Sequence, residues 1–321
     1  MTLLEDLAGA LRARLGDAVT RHASVRELTT YRVGGPLAVL VRARDEASLH
    51  AVAEALETHP CPTLVIGRGS NLLVAERGFE GLGIVLEGEL ERVSIDRDAA
   101  RVRAGAAVPL PALARQCAAA GVTGLEFFVG IPGSVGGAVR MNAGGHGRET
   151  HEVLSSARVL DLADGSSAQA VELGVESLDL SYRHSNITDA TVVLAAELVG
   201  AADAAAACEQ RIAEIVRWRR EHQPGGSNAG SVFRNPPGDS AGRLIDAAGL
   251  KGLRVGGAVV SPKHANFFQA EPGASADDVA QLVALVRERV ADATGITLQP
   301  ELRMVGFDER DAQLLDAEAE R

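Results

Sequence analysis

Gly130-Ile131-Pro132-Gly133-Ser134-Val135-Gly136-Gly137-Ala138-Val139-Arg140-Met141-Asn142-Ala143-Gly144-Gly145 is the stretch on which the reading of this chain turns. Its six glycines let the backbone approach a bulky ligand that side chains would exclude, and Pro132 fixes one φ. Successive backbone N–H groups in such a run can bind a pyrophosphate without lysine. Long glycine loops in compact domains are usually functional, although an Ω-loop serving structure alone would share the composition. Upstream, Leu64-Val65-Ile66-Gly67-Arg68-Gly69-Ser70-Asn71-Leu72 suggests a dinucleotide turn. A Rossmann turn, however, needs a third glycine where Leu72 stands, and a helix behind it. The next residues, Leu72-Leu73-Val74, are strand-like, so the segment reads as a strand-to-strand anion cradle or, equally, a plain tight turn.

Working outward, apolar patterning predicts a strand at Leu37–Val41, a helix over Asp45–Leu56 and a strand at Thr63–Ile66. Further strands are expected at Gly83–Leu86, Arg92–Ile95 and Ala100–Val102, then a helix over Leu110–Ala120, then strands at Val153–Leu162 and Thr191–Val199. The Ala/Asp-rich Gly200–Ala207 opens a helix whose Ile212, Ile215 and Val216 share a face, and a domain boundary is expected near residue 200. Beyond it lie a helix over Ala241–Ala248, a helix with Val279, Leu282, Val283, Val286 and Val290 at core spacing, and a final strand over 297–305. The tail from Asp308 to Arg321 is charged and expected to fray. The fold class is α+β.

The 321 residues carry 32 Lys plus Arg against 43 Asp plus Glu, a net charge of -11 that repels nucleic acid. Cys61, Cys117 and Cys208 are too few and too far apart for a disulfide framework or a CxxC metal site, so a reducing cytoplasm is the expected compartment. Met1–Val19 reads as an amphipathic helix rather than a signal peptide, and no stretch approaches the ~18 apolar residues of a membrane span. No exposed apolar stripe is evident, so a monomer is expected.

Aromatics make up 3% of the chain, and lysine occurs only at Lys251 and Lys263, so the few that remain mark places worth inspecting. Both tyrosines precede arginines, in Thr30-Tyr31-Arg32-Val33-Gly34-Gly35 and in Ser181-Tyr182-Arg183-His184-Ser185. Gly230-Ser231-Val232-Phe233-Arg234-Asn235-Pro236 puts a serine in a turn with a cation and an amide close behind, and a lone turn serine is usually just that. Val259-Val260-Ser261-Pro262-Lys263-His264-Ala265-Asn266-Phe267 joins lysine, histidine and asparagine, but no second spaced ligand makes His264 a metal ligand, and no metal is expected. In Leu298-Gln299-Pro300-Glu301-Leu302-Arg303, read as strand, Glu301 and Arg303 share a face, either as an edge ion pair or as groups awaiting a ligand.

Together and in this order, TTYRVGG, GRGSNLLV, GIPGSVGGAVRMNAG, YRHS, NAGSVFRNP, VSPKHANF and ELR resemble the UDP-N-acetylenolpyruvoylglucosamine reductase (UDP-N-acetylmuramate dehydrogenase) family of peptidoglycan precursor synthesis, from Thr29 to about Gly306. The resemblance implies a two-part FAD-binding region of the vanillyl-alcohol-oxidase (PCMH) type followed by an α+β substrate-binding domain. On this chain that is residues 1–200, in subdomains of about 1–85 and 86–200, and residues 201–321, with the strand 297–305 contributing to the active site. It implies non-covalent FAD, NADPH as reductant and a UDP-sugar substrate whose enolpyruvyl ether is reduced to a lactyl ether. It places the catalytic arginine at Arg183, the proton-donating serine at Ser231 and the catalytic glutamate at Glu301. It assigns to the cofactor Tyr31, Arg32, Gly67, Arg68, Gly69, Ser70, Asn71, Gly130, Pro132, Gly133, Ser134, Gly136, Gly137 and Arg303, and to the substrate Tyr182, Arg234, Asn235, Lys263 and His264.

Two positions depart from the family pattern: Gln299 stands where an acidic residue is common, and Arg234 where lysine is frequent. The run from Tyr182 to Thr191 holds no long insertion, which points to the subgroup lacking an inserted tyrosine loop. The competing expectations are a flavin-dependent alcohol or sugar oxidase of the same fold and a non-catalytic flavin or nucleotide-sugar binding protein.

Overall fold

The core spacing in the last third of the chain produces α7, Ala276–Thr294, in the computed structural model, which describes residues 3–307. Val279, Leu282, Val283, Val286 and Val290 are all fully buried along one face. Ser275 caps the helix by accepting from Asp278 N–H, while the Asp278 carboxylate accepts from Ser275 N–H, both at 3.0 Å. Gly295, left-handed at φ 74°, ends it.

The chain divides into two compact units: residues 1–23, 38–68 and 80–219 form the first, and residues 24–37, 69–79 and 220–321 the second. The first holds a four-stranded sheet in the order Val19–Ser24, Pro36–Ala43, Phe79–Leu86, Thr63–Ile66, with the last pair parallel. The helices α1 (Leu3–Leu15) and α2 (Glu46–Thr58) supply Leu7, Leu11, Leu49 and Val52 to its core. Asp45 caps α2 by accepting from Ser48 N–H at 2.8 Å. A five-stranded antiparallel sheet runs Val171–Gly174, Leu154–Asp161, Thr191–Val199, Arg101–Gly105, Val93–Asp96. Its core takes in α3 (Leu110–Ala119), the short α4 (Val135–Met141) and the start of α5 (Ala205–His222). Burial, with Glu126 nearby, pushes the Cys117 thiol up to about 12, and all three cysteines are free thiols.

The second unit packs α6 (Ala241–Ala247) and α7 with the sheet Arg254–Val255, Ala258–Val260, Phe268–Ala270. A separate parallel pair joins Arg303–Val305 to Leu72–Val74.

This division differs from the one expected at residue 200. Helix α5 stays with the first unit through Arg219 because Cys208 and Ile212 are buried in its core and Arg211 bonds the Glu126 carboxylate at 2.9 Å. The expected 1–85 subdomain is interrupted twice, since Tyr31, Val33 and Leu73 are buried in the core of the second unit. The amphipathic N-terminal segment is α-helical only to Leu15, a 3-10 turn follows over Gly16–Ala18, and Val19 already begins a strand. The final strand is Arg303–Val305 alone, preceded by irregular backbone. The expectation for the tail from Asp308 lies outside the described residues.

Because Leu282 is sealed in the core of the second unit, Leu282→Ala should lower the unfolding free energy by about 2–5 kcal/mol, read from the urea midpoint of the purified protein.

Candidate active site

In the first unit, the glycine stretch is not a continuous loop: Phe127 to Gly130 ends a 3-10 turn, and Val135 to Met141 is α4. Ser134, almost wholly buried, caps α4 with its hydroxyl toward Gly137 N–H. The N–H groups of Val135 and Gly136 donate to the carbonyls of Val108 and Ala106 at 3.0 and 2.9 Å. That corrects the expectation of a row of ligand-binding amides, because two of them are already used to anchor the run to its own sheet. A Cβ on Gly67 would overlap Ser134 Oγ, so the first glycine of GRGSN is required by packing. Pro132 is exposed, with Gly130 and Gly133 half-buried.

Arg183 occupies the third position of a tight turn, Ser181 to His184, closed by His184 N–H donating to the Ser181 carbonyl at 3.1 Å. Its φ is 56°, left-handed for a non-glycine residue. The side chain is 16% exposed, contacts the Glu149 carboxylate at 3.7 Å and stacks over the Tyr182 ring at 4.9 Å.

In the second unit, Ser231 and Glu301 sit on neighbouring segments. The Val232 carbonyl accepts from Glu301 N–H at 2.7 Å and from Leu302 N–H at 3.3 Å, while Arg234 N–H donates to Gln299 O at 2.8 Å. On the other side Val232 N–H donates to Asn266 O at 2.9 Å, and Ser231 bridges Phe267. Asn266, 3% exposed, pairs its carboxamide with the main chain of Phe233 in both directions, at 3.0 and 2.8 Å. Ser231 therefore sits on backbone held from both flanks, directly after the left-handed Gly230 at φ 73°. The expected same-face pairing of Glu301 and Arg303 needs regular strand, which Glu301 does not have. Instead Asn71 brackets the pair, its Nδ2 donating to Glu301 O at 3.0 Å and its carbonyl accepting from Arg303 N–H at 3.1 Å.

The rest of GRGSN is held through its carbonyls. Gly69 O accepts from Thr30 N–H at 3.2 Å, and among the described residues no backbone acceptor takes the N–H groups of Gly69, Ser70 or Asn71. Tyr31 is 1% exposed and Arg32 is exposed with φ 59°. The Tyr31 hydroxyl and Arg234 Nε are both buried without a hydrogen-bond partner among the described residues. Burial pushes the Tyr31 phenol well above its ordinary range. Buried donors of this kind cost free energy until an acceptor arrives, and they fit a ligand rich in phosphate and carbonyl oxygens.

The remaining substrate-assigned residues are less committed. Asn235 accepts from Ala241 N–H, the first of α6, at 3.0 Å, while Ser240 is the helix cap. Lys263 is exposed and donates to the Arg220 carbonyl. Burial, then the Lys251 charge, lowers His264, whose Nδ1 accepts from Asn266 N–H at 3.3 Å. Arg68 is exposed, and Ser70 is half-buried. Among the described residues no His, Cys, Asp and Glu group could hold a metal ion, and no helix is long and apolar enough to cross a membrane.

Residues 222–305 match the C-terminal domain of UDP-N-acetylenolpyruvoylglucosamine reductase, and residues 36–170 match an FAD binding domain. The UDP-N-acetylenolpyruvoylglucosamine reductase of Rubrobacter xylanophilus is 41% identical over 295 residues, covering 91% of this chain and 97% of that one. The chain belongs to the UDP-N-acetylenolpyruvoylglucosamine reductase family. The Caulobacter sp. (strain K31) member is 44% identical over 287 residues, 87% of this chain and 92% of that one. The crystal structure of the family member from Thermus caldophilus superposes with a TM-score of 0.76 at 36% identity, covering 89% of this chain and 98% of that chain. The α+β expectation and the FAD-binding type agree with these matches. The FAD-binding match takes in Gly67 to Asn71 and Gly130 to Gly137, and the C-terminal match takes in Ser231, Arg234, Glu301 and Arg303. Arg183 lies in neither.

Sequence reasoning missed Asn266 and Asn142, both buried, because an asparagine in a polar loop reads as a turn former. Gly69 is left-handed at φ 58°, and a Cβ there would overlap the Leu28 carbonyl. Gly69→Ala should therefore cost at least ~1–2 kcal/mol and lower the flavin content of the purified protein, read from visible absorbance against protein absorbance. Asn266→Asp removes the donor to Phe233 O and sets a carboxylate against that carbonyl, and should cost about 1–3 kcal/mol, checked by thermal melting.

Proposed function

We propose that the protein reduces the enolpyruvyl ether of UDP-N-acetylenolpyruvoylglucosamine to the D-lactyl ether, giving UDP-N-acetylmuramate for peptidoglycan synthesis, with FAD as cofactor and NADPH as reductant. The observation that carries the reading is the shared Val232 carbonyl, which fixes the backbone of Glu301 one residue from that of Ser231 at 2.7 Å. A proton donor and a second hydrogen-bond donor held on one rigid scaffold are what the reaction requires.

Bound FAD would supply hydride chemistry, carrying reducing equivalents from NADPH to the terminal vinyl carbon of the enolpyruvyl ether. Negative charge then gathers on the adjacent carbon and its carboxylate. Arg183 holds that carboxylate as a fixed bidentate cation, and Glu301, when it carries a proton, donates a hydrogen bond as charge develops. Ser231 delivers its proton to one face of the carbon, which sets the lactyl stereocentre. Serine is a weak acid, but the developing carbanion is a strong base, so placement outweighs acidity.

For binding, the Tyr31 hydroxyl, the N–H groups of Gly69, Ser70 and Asn71, and Arg32, Arg68 and Arg303 serve the cofactor, with Gly67 and the Gly130 to Gly137 run shaping its approach. Arg234, through its buried Nε, and Tyr182, Asn235, Lys263 and His264 serve the UDP-sugar. The first unit carries Gly67, Arg68, the Gly130 to Gly137 run and Tyr182, and the second carries the other residues assigned to cofactor and UDP-sugar. The continuous run through Tyr182 supports membership of the subgroup without the tyrosine loop, and the protein acts as a cytoplasmic monomer.

Purified yellow protein should consume NADPH only when the enolpyruvyl substrate is present, followed by the fall in NADPH absorbance; absence of substrate-dependent consumption sinks the reading. Acid precipitation should release all the yellow colour, as a tethered flavin would not. Ser231→Ala should lower kcat by more than the ~10²–10³ typical of one lost donor while NADPH still bleaches the flavin. Near-normal turnover in that variant removes Ser231 from the proton-donor role.

A further inference from the structure

The turn that carries Arg183 is held by a side chain that the proposed reaction does not use. Asn142 ends α4 in the left-handed region, at φ 39°, and is completely buried. Its Nδ2 donates to the Ser181 carbonyl at 2.9 Å and to Glu149 Oε2 at 2.9 Å, and its Oδ1 accepts from His151 N–H at 2.9 Å. Two acceptors and one main-chain donor converge on it, with the His151 ring Nδ1 also 3.2 Å from Nδ2 and 3.3 Å from Oδ1, and a carboxylate could not donate to the two acceptors.

Both acceptors lead to Arg183. The Ser181 carbonyl is the one that closes the turn, so Asn142 grips the turn at its first residue. The other Glu149 oxygen, Oε1, faces Arg183 Nη1 at 3.7 Å. A second strut, Ser185 Oγ donating to the Arg140 carbonyl at 2.6 Å, ties the far side of the turn to the same helix. A non-glycine residue at φ 56° persists only where its surroundings hold it.

We infer that Asn142 is the positioning residue for Arg183, fixing its backbone through Ser181 and aiming its guanidinium through Glu149. This rests on the reading of Arg183 as the cation that receives the substrate carboxylate. A bidentate pair is intolerant of misplacement, and an error of about 1 Å can cost ~10² in rate.

Asn142→Gly keeps the left-handed backbone and removes only the carboxamide. In stopped-flow experiments on the flavin-loaded enzyme it should slow reoxidation of the reduced flavin by the enolpyruvyl substrate about 10–100-fold, with NADPH reduction of the flavin little changed. Added to Arg183→Ala it should cause no further loss, because the group it aims is gone. Hydrogen exchange should quicken across Ser181 to His184. Parallel loss in both half-reactions, or losses that multiply in the double variant, overturns the inference while leaving the role of Arg183 intact. An Arg183→Ala enzyme that reoxidises normally overturns that role and the inference with it. If Asn142→Gly fails to fold, Glu149→Gln, which keeps the acceptor for Asn142 and removes the charge facing Arg183, goes through the same cycle, and multiplying losses there also overturn the inference.

Discussion

A buried carboxamide standing in for a strand is the interaction on which the site in the second unit depends. The segment carrying Ser231 is too short and irregular for a ladder of its own, and an unpaired buried peptide group is costly. Asn266 meets both polar groups of Phe233, and that fixes Val232, whose carbonyl in turn fixes Glu301 and Leu302. The half-buried Asn71 and the fully buried Asn142 likewise bond to the main chain of a distant segment. Each ties an irregular segment to a neighbouring one.

Much of the fold was legible because its elements follow a simple period. The α7 spacing, the Thr63–Ile66 and Thr191–Val199 strands and the Leu110 helix all stand where patterning predicts. What patterning does not report is which core an element joins. Tyr31, Val33 and Leu73 look like parts of the first domain by chain position yet are buried in the second core, and α5 is kept in the first by Glu126 and Arg211. The last strand is shorter than its pattern because Leu298 and Leu302 alternate like a strand, whereas the backbone there bonds to Val232 irregularly. The candidate site residues stand in motifs that the sequence displays; the asparagines that bond the main chain around them do not, since those bonds depend on partners distant in sequence.

A net charge of -11 weighs against a polyanion such as nucleic acid but does not exclude local anion sites. The Tyr31 hydroxyl and Arg234 Nε are buried without a hydrogen-bond partner among the described residues, and such local donors are set by the fold and not by the overall charge.

The second unit is also discontinuous in sequence, and this bears on how the molecule is made. Leu72–Val74 pairs with Arg303–Val305, so a strand synthesised early waits for one synthesised last. Closing so long a loop is entropically expensive before its contacts repay it. On the ribosome, Ser24 to Leu37 and Gly69 to Phe79 therefore leave the tunnel long before the core that covers Tyr31 and Leu73 exists. Cutting the gene at the boundary near residue 220 would separate not two domains but one nearly complete body from a fragment lacking two of its own pieces.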